Sequence, residues 1–306
     1  MAQRALAIVN PTAGHGRTQA QWPEVERSLK AHGLDFVAQL TSGPGDATTA
    51  AASAVRAGVG LVIAVGGDGT VNEVVNGLLA DGAVPPPALG VVSSGSGCDL
   101  IRTLGIPKGA AAVDVIAHGR PRPVDVGRVT YQATDGTPTA RYFLNAADLG
   151  LGAEVAERVN RSGKRFGGFL SFLGNAVVTI AGARFKTIAY SSDGGQATTT
   201  RAGIVFVANG QYAGGGMHFA PAARIDDGLF DVVVLKEVGR VTLLADIFPK
   251  VYRGTHLGHP AVIHYRAREV TVSSTDPLLL ELDGEQPGRA PATFTILPGA
   301  LRVMLP

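Results

Sequence analysis

Short apolar runs alternate with stretches of helical periodicity over the first 120 residues. The runs "ALAIV" (5–9) and "GLVIAV" (60–65) are continuous and end at turn-forming residues, which is typical of strands buried on both faces. Between such runs, apolar residues recur at the helical spacing. The pattern predicts strands at 5–9, 35–40, 60–65 and 88–92 and helices at 18–32, 46–57 and 71–79. This alternation predicts a parallel α/β sheet with right-handed crossovers.

The pattern changes near Pro121 and Pro123, after which most segments have the character of strands. Strands are predicted at 142–150, 187–192, 202–210, 229–236, 261–274, 277–284 and 293–305, with helical pieces at 152–182 and 241–253. Asp-Gly pairs at 135–136, 193–194, 227–228 and 283–284 suit hairpin turns. We therefore expect an α/β domain to about residue 122, followed by a β-rich domain.

Composition narrows the classes of protein to consider. The chain has 306 residues, 45% of them hydrophobic, and a net charge of +2, so it can bury a large core and does not have the basic character of a nucleic-acid binder. It has one cysteine, Cys98, which excludes an internal disulfide and suits a reducing, cytoplasmic setting. The first apolar run is too short for a signal peptide, and no transmembrane helix is expected.

The stretch "GGDGT" (66–70) lies between a predicted buried strand and a helix. Glycine lets an anion approach the backbone closely, and a helix N-terminus favours negative charge, so the stretch predicts a phosphate site. A tight turn with a capping box, Thr70 as N-cap and Glu73 three residues later, is the structural alternative. That alternative does not explain Asp68, a carboxylate suited to binding a metal or engaging a reacting group.

Two further loops have the same design. "NPTAGHG" (10–16) follows the first strand and "SSGSGCDL" (93–100) follows the fourth, so all three loops lie at the edge where open α/β sheets bind ligands. The chain contains neither a P-loop motif nor a G-x-G-x-x-G fingerprint. This argues against an ordinary P-loop NTPase and an ordinary dinucleotide enzyme.

Five motifs carry a family resemblance: "NPTAG", "GGDGTVNEVVNGL", "GSGCDLIRTLGIP", "NGQYAGGGMHFAPAARIDDGLFDVVVL" and "LELDGE". In this order they resemble the diacylglycerol-kinase-like lipid kinases, which include soluble bacterial diacylglycerol kinases and the sphingosine and ceramide kinases. The resemblance implies an NAD-kinase-like α/β nucleotide-binding domain (1–122) and a β-sandwich lipid-binding domain (123–298), with 299–306 returning to the first domain. It also implies ATP and Mg²⁺ as cofactors.

Carried over by position, the resemblance implies three groups of site residues. Nucleotide contacts fall on Asn10, Pro11, Thr12, Ala13, Gly14, Thr41, Gly66, Gly67, Gly69, Thr70, Asn72, Glu73, Ser94, Gly95 and Ser96. A structural Mg²⁺ is implied near Asp227 and the backbone carbonyls of Arg224 and Leu229. Glu285 corresponds to the proton acceptor, and Asp99 and Asp125 match acids near the reaction centre. Asp68 is our candidate for the nucleotide-side carboxylate that orients the metal or the substrate hydroxyl. Whether Asp68 or Glu285 is the base stays open.

The chain departs from the family pattern in one loop. Where many members have Pro, Thr and Asn, this chain has Ser93, Ser96 and Cys98. Cys98 lacks an amide that could hydrogen-bond a substrate or a phosphate. The departure leaves the identity of the lipid open.

Residues 160–187 join an apolar segment to basic flanks, which suits either contact with a membrane surface or packing on the β-rich domain. We expect a cytoplasmic, peripherally membrane-associated kinase that phosphorylates a hydroxyl of diacylglycerol or a similar lipid. The alternatives are an NAD-kinase-like enzyme and an inactive homologue that binds nucleotide or lipid. A homodimer formed through edge strands of the second domain is compatible with the sequence.

Overall fold

The computed structural model describes residues 5–82, 85–95, 97–161, 168–182 and 184–306. The chain divides into two compact units. The first unit comprises the residues up to Asp125 together with Gly299–Pro306, and the second comprises Val126–Pro298. The second unit is therefore inserted into the first near its end.

The first unit is built on a parallel sheet. Its strands are β1 (Ala5–Val9), β2 (Phe36–Leu40), β3 (Leu61–Gly66) and β4 (Ala88–Ser93), in the order β2-β1-β3-β4. The end of the last strand, β14 (Glu285–Leu305), pairs in parallel with β4. Strands β3 and β4 are buried along almost their whole length, whereas β2 is an exposed edge. The continuous apolar runs predicted as buried strands are confirmed.

The helices of the first unit follow the strands. They are α1 (Arg17–Ala31), α2 (Asp46–Arg56), α3 (Asp68–Leu79), α4 (Asp99–Leu104) and α5 (Ala112–His118), with a 3₁₀ turn at Gly109–Ala111. Helix α2 packs on α3, and α1 packs on α5. Helix α3 begins at Asp68, with Gly67 as N-cap and no side-chain cap. The alternative with Thr70 as N-cap is therefore wrong, because Thr70 already lies inside the first turn.

The second unit is an antiparallel β structure. Its strands are β5 (Arg120–Ala133), β6 (Pro138–Phe143), β7 (Ala146–Gly150), β8 (Lys186–Ser192), β9 (Thr198–Ala208), β10 (Phe230–Lys236), β11 (Val262–Ala267), β12 (Glu269–Ser274), β13 (Leu279–Leu282) and most of β14, with β5 starting in the first unit. One edge of β9 pairs with β8 over its first half and with β7 over its second half. Because β12 links β8 to β14, and β13 links β14 to β7, the strands close around an interior.

Alternate residues of β9 and β10 enter two different cores. Val205 and Val207 join Phe143, Phe230 and other side chains inside the closed strands. Ile204 and Phe206 face the opposite way, into a cluster formed with the helices. Since both faces are covered, β9 and β10 appear in the sequence as continuous apolar runs. The mixed α/β class with a β-sandwich second unit agrees with the predicted fold class.

The helical segments of the second unit cover one face of this sheet. They are α6 (Leu151–Arg161), α7 (Gly168–Ala181), α8 (Arg240–Thr242), a π turn (Leu243–Ile247), α9 (Phe248–Arg253) and a 3₁₀ turn (His256–Gly258). Side chains from α6, α7 and residues 243–251 pack into the cluster that contains Ile204. Within the described residues, no helix is long and apolar enough to cross a membrane.

Three of the four Asp-Gly pairs lie in short turns between antiparallel neighbours, at 135–136, 193–194 and 283–284. The pair at 227–228 does not form a hairpin, because it ends a long connection that leads into β10. Strand β5 was not predicted, since its start "RPRP" is exposed and contains two prolines, which are tolerated at strand edges.

Candidate active site

The loops after β1, β3 and β4 meet at the carboxyl edge of the parallel sheet. Asn10 Nδ2 donates to Thr70 Oγ1 at 3.0 Å, which joins the first loop to the start of α3. Asn10 Oδ1 accepts from the backbone nitrogen of Thr12 at 3.1 Å and from its hydroxyl at 2.8 Å, which fixes the turn that follows β1. Gly66 is required beside Thr70, because a Cβ at position 66 would lie 2.5 Å from Thr70 Oγ1.

The first and third loops are in direct contact. A Cβ at Gly14 would lie 2.5 Å from the carbonyl oxygen of Ser94, and Gly14 has φ +61°. The hydroxyls of Thr18 and Ser94 share a short hydrogen bond. Sequence reasoning missed Thr18, because one threonine at the start of a helix carries no pattern of its own. The approach of the two loops fixes the floor of a common site.

Three helices that leave this edge begin at a glycine with no side-chain cap: α1 after Gly16, α2 after Gly45 and α3 after Gly67. The first amides of a helix lack intrahelical partners, and the helix dipole favours an anion there. At Gly67, the nearest atom to an added Cβ is the Cα of Gly95, at 3.8 Å. The start of α3 and the loop at Gly95 can therefore approach a phosphate through their backbones.

Two acids converge beside Gly97. Asp68 Oδ2 accepts from the backbone nitrogen of Cys98 at 3.1 Å, and Asp99 Oδ1 accepts from Arg102 at 2.7 Å. A Cβ on Gly97 would lie 3.2 Å from Asp68 Oδ2 and 3.8 Å from Asp99 Oδ2. The space that Gly97 leaves is thus bordered by two carboxylates, from the first residues of α3 and α4.

The other residues predicted to contact nucleotide stabilise neighbouring structure. The backbone nitrogen of Thr41 donates to Val9 at 2.9 Å. Glu73 Oε2 accepts from the backbone nitrogen of Gly45 at 3.1 Å. Asn72 is buried and accepts from Asn76 Nδ2. Thr41 and Glu73 therefore flank the Gly43–Gly45 turn at the start of α2.

That turn also holds a carboxylate. Asp46 accepts from the hydroxyl and backbone nitrogen of Ser42 and from the backbone nitrogen of Gly43. The Ser42 hydroxyl, and then these amides, lower the pKa of Asp46 below its ordinary value. A fixed charge thus lies at the N-terminus of α2.

Asp125 lies on β5 and is buried. Its Oδ1 accepts from the backbone nitrogen of Gly299 at 2.8 Å, which joins the point where the chain leaves the first unit to the point where it returns.

The acids of "LELDGE" in the second unit have different environments. Asp283 accepts from the backbone nitrogens of residues 144–146, and buried Glu281 contacts the backbone nitrogen of Gly284. Glu285 is 41% exposed and its Oε2 accepts from Arg141 at 3.0 Å. Glu285 is thus the accessible acid of the three.

Glu281 has a buried acidic neighbour that sequence reasoning missed. It lies opposite Asp148 across β13 and β7. Burial, and then the charge of the other acid, raise the pKa of Glu281. Burial also raises the pKa of Asp148, whose Oδ1 accepts from the backbone nitrogen of Ala153 at 3.0 Å. Both carboxyl groups therefore keep their protons to a higher pH than an exposed acid does.

Comparison with known proteins shows which family the chain belongs to. A family model of the diacylglycerol kinase catalytic domain matches residues 4–129, and one of the YegS C-terminal NAD kinase beta sandwich-like domain matches residues 145–305. A Bacillus subtilis (strain 168) diacylglycerol kinase is 31% identical over 99% of this chain and 97% of its own. The chain belongs to the diacylglycerol kinase family. It is therefore a kinase.

Further relatives agree with this kinase assignment. A Staphylococcus carnosus (strain TM300) diacylglycerol kinase is 32% identical over 100% of this chain and 96% of its own. A solved structure from Bacillus anthracis strain Sterne, proposed to be a diacylglycerol kinase, has a TM-score of 0.81 at 29% identity over 99% of this chain and 95% of that chain. Yeast NADH kinase shares the fold, with a TM-score of 0.54 at 11% identity over 99% of this chain and 83% of that chain.

The loop that departs from the kinase pattern has its own internal bonds. Ser93 Oγ donates to Cys98 Sγ at 3.0 Å, and the Cys98 thiol donates to the carbonyl of Gly95 at 2.8 Å. Cys98 has φ +55°, a conformation that asparagine adopts more readily than most residues. Two of the departures thus contact each other, and Ser96 lies outside the described residues.

The segment "RIDDGLF" forms ion pairs within the second unit. Asp227 Oδ2 contacts Arg266 Nη2, and Asp227 Oδ1 accepts from the backbone nitrogen of Leu229 at 3.2 Å. Arg224 pairs with Asp226 at 3.3 Å. The Asp227 carboxylate thus pairs with an arginine here, and the structural Mg²⁺ that the resemblance implies near it stays a prediction.

Much of the predicted membrane segment, 160–187, lies outside the described residues or has side chains that are not described. The end of α7 is described. Val177 and Val178 are 41% and 53% exposed, whereas Ile180 is packed into the helix-covered core. This end of α7 therefore presents adjacent valines to solvent.

Proposed function

We propose that this kinase transfers the γ-phosphate of ATP to a hydroxyl of diacylglycerol or a closely related lipid, with Mg²⁺ as cofactor. The observation that carries the proposal is the meeting of three glycine-rich loops at one sheet edge, in a chain of this family. Phosphoryl transfer depends on positioning and charge stabilisation more than on covalent chemistry. A backbone cradle beside two carboxylates suits that requirement.

In this proposal the phosphates lie against the start of α3 and the loop at Ser94 and Gly95. The first-turn amides of α3 donate to phosphate oxygens, because no side chain caps them. Asn10 contributes to nucleotide binding even without touching the nucleotide, because its hydrogen bond to Thr70 fixes the start of α3. Thr41 and Glu73 support the site without contacting the phosphates, because they fix the turn before α2.

Asp68 and Asp99 fit a hard divalent cation. Two carboxylates border the space that Gly97 leaves, and oxygen ligands are those that Mg²⁺ prefers. When bound, Mg²⁺ would neutralise phosphate charge during transfer. Asp125 is buried in the same unit, and the bond from Gly299 fixes its carboxylate. We assign it as a third acid of the centre.

Glu285 is our choice for the base. It is accessible, whereas Glu281 and Asp283 are occupied with backbone groups, and Arg141 orients its carboxylate. In the reaction the lipid oxygen forms a bond to the γ-phosphorus, the bond to the β–γ bridging oxygen breaks, and the hydroxyl proton passes to Glu285. Asp68 stays the alternative base.

Exposed Val177 and Val178 suit contact with a lipid surface, which a kinase acting on a membrane lipid needs. A peripheral association through this end of α7 is part of the proposal. The homodimer stays a prediction.

The decisive experiment incubates the purified protein with radiolabelled MgATP and a panel of acceptors. The panel contains short-chain diacylglycerol, ceramide, sphingosine and NAD. We expect labelled product from diacylglycerol. Labelled NADP would instead support the NAD-kinase-like alternative, and ATP binding without transfer to any acceptor would support the inactive homologue.

A matched pair of variants tests the base. Glu285→Gln should lower lipid phosphorylation by about 10²–10⁴-fold, the usual contribution of a positioned base, without changing ATP affinity. Glu237→Gln is the control, since Glu237 also pairs with an arginine and has 46% of its side chain exposed. If Glu285→Gln behaves like Glu237→Gln, Asp68 becomes the leading candidate.

A further inference from the structure

A histidine-rich cluster lies where α1 ends against α5. His32 is the C-cap residue of α1, and Asp114 and His118 lie four residues apart on α5, and so on one face of that helix. The rings of His32 and His118 are 5.3 Å apart between centroids, edge to face. Nothing in the proposed reaction uses these residues.

The orientation of the His32 ring is fixed by its backbone partner. Nδ1 lies 2.8 Å from the carbonyl oxygen of Ser28, and a carbonyl can only accept, so Nδ1 carries a proton. In the neutral ring, Nε2 then presents its lone pair to Asp114 Oδ1, 2.9 Å away. Two acceptors at this distance repel each other unless a proton or a metal ion lies between them.

We propose that His32, Asp114 and His118 bind a divalent transition metal ion of the Zn²⁺ class. In the described part of the chain, one ligand atom from each of these residues lies within 4.8 Å of the other two. Tetrahedral ligands at about 2.0–2.1 Å from Zn²⁺ lie about 3.3–3.4 Å apart, so closure requires only small movements of exposed side chains.

The ligand chemistry selects the metal. Two imidazoles and one carboxylate suit Zn²⁺ and its neighbours, whereas Mg²⁺ prefers oxygen ligands. The bond from Nδ1 to a backbone carbonyl is the outer contact that usually orients a metal-binding histidine. A water molecule would complete the fourth position. The Mg²⁺ of a kinase assay would therefore not fill this site.

The cluster is remote from the phosphate loops. Helix α1 leaves the first loop and rises about 1.5 Å per residue, which places His32 about 21 Å along the helix axis from Thr18. A metal here would join α1 to α5 and stabilise the first unit without contacting nucleotide. The site is structural or regulatory rather than catalytic.

Calorimetric titration of the full-length, tag-free protein with ZnCl₂ tests the site. We expect one Zn²⁺ per chain, an increase in melting temperature with Zn²⁺, and unchanged affinity for ATP. His32→Gln and His118→Gln should each weaken Zn²⁺ binding at least about tenfold, because even changes outside the ligand set cost that much.

His259→Gln is the matched control, since His259 also lies near a carboxylate, Asp246, at 3.6 Å. It should bind Zn²⁺ like the parent. The proposal is overturned if the parent binds no Zn²⁺, which would leave His32 and Asp114 as a simple ion pair. It is also overturned if His32→Gln and His118→Gln bind as tightly as His259→Gln. Because the three side chains are exposed, these variants should fold normally.

Discussion

At the scale of single residues, Gly14 shows how strongly the site constrains its loop. Its backbone has φ +61°, and the carbonyl of Ser94 occupies the place where a Cβ would lie. Gly16 has φ +82° but nothing within 4 Å of the corresponding position. A substitution at Gly16 therefore introduces backbone strain alone, whereas one at Gly14 adds a steric clash with Ser94.

We predict that Gly16→Ala lowers the free energy of unfolding by about 1–2 kcal/mol, the cost of the left-handed conformation. Gly14→Ala should lose that amount plus about 1–3 kcal/mol of overpacking, and should weaken ATP binding because the first and third loops must separate. Urea unfolding and calorimetry measure both effects. Equal losses in the two variants would contradict the contact with Ser94.

The buried acid pair gives a prediction about pH. Because burial raises the pKa of Asp148 and Glu281, the folded state keeps protons that the unfolded chain releases above about pH 4. Their contribution to stability is therefore present at low pH and is lost as pH rises through their folded pKa values.

Asp148→Asn should remove part of this loss, since an amide can accept from Ala153 and donate to Glu281. We expect the variant to be more stable than the parent at pH 8, by on the order of 1–3 kcal/mol, and nearly equal at pH 4. Chemical denaturation at both pH values checks this. A constant difference between parent and variant would show that ionisation is not the cause.

At the level of residues, the sequence predicted where the three glycine-rich loops lie, but it did not predict the contacts between residues that are far apart in the chain. Glycine and turn-forming residues after apolar runs mark the loops, so "GGDGT" could be placed at a strand end. The bond between Cys98 and Asp68, the bond between Thr18 and Ser94 and the pairing of Asp148 with Glu281 join positions far apart in sequence. No local pattern encodes such contacts.

At the scale of elements, the strands that were predicted correctly are those whose apolar residues form a clear run in the sequence. Strand β3 was predicted because it is buried on both faces, and β5 was missed because its first four residues are exposed. The start of α3 was misplaced because glycine and aspartate in its first turn resemble a loop in sequence. The ends of helices and strands are the hardest positions to predict, above all where the terminal backbone amides have no side-chain cap.

The end of α7 provides a prediction at this scale. Val177→Asp and Val178→Asp should lower phosphorylation of diacylglycerol presented in vesicles, because charge opposes insertion of apolar side chains into the lipid surface. Activity on dispersed short-chain diacylglycerol should not change. Val37→Asp, at a valine that is 44% exposed on β2, is the control. An equal effect of all three variants on vesicle activity would exclude a specific role of α7.

At the scale of the whole molecule, the chain completes the first unit only after completing the second. Strand β5 leads from the first unit into the second, and β14 returns to pair with β4 through Val303 and Leu89. The return places eight C-terminal residues, Gly299–Pro306, within the first unit. Loss of these residues should therefore expose an edge of the parallel sheet.

The bond between Asp125 and Gly299 makes the second unit removable in principle. Since 2.8 Å separates Asp125 Oδ1 from the backbone nitrogen of Gly299, the two ends of the insertion meet, and a short Gly-Ser linker can replace residues 126–298. We predict that the shortened chain folds cooperatively and binds ATP, but transfers no phosphate because it lacks Glu285. Circular dichroism melting and ATP calorimetry test this. A shortened chain that stays unfolded would mean that the first unit of this kinase cannot fold without its insertion, so that it could not have served alone as an ancestral protein.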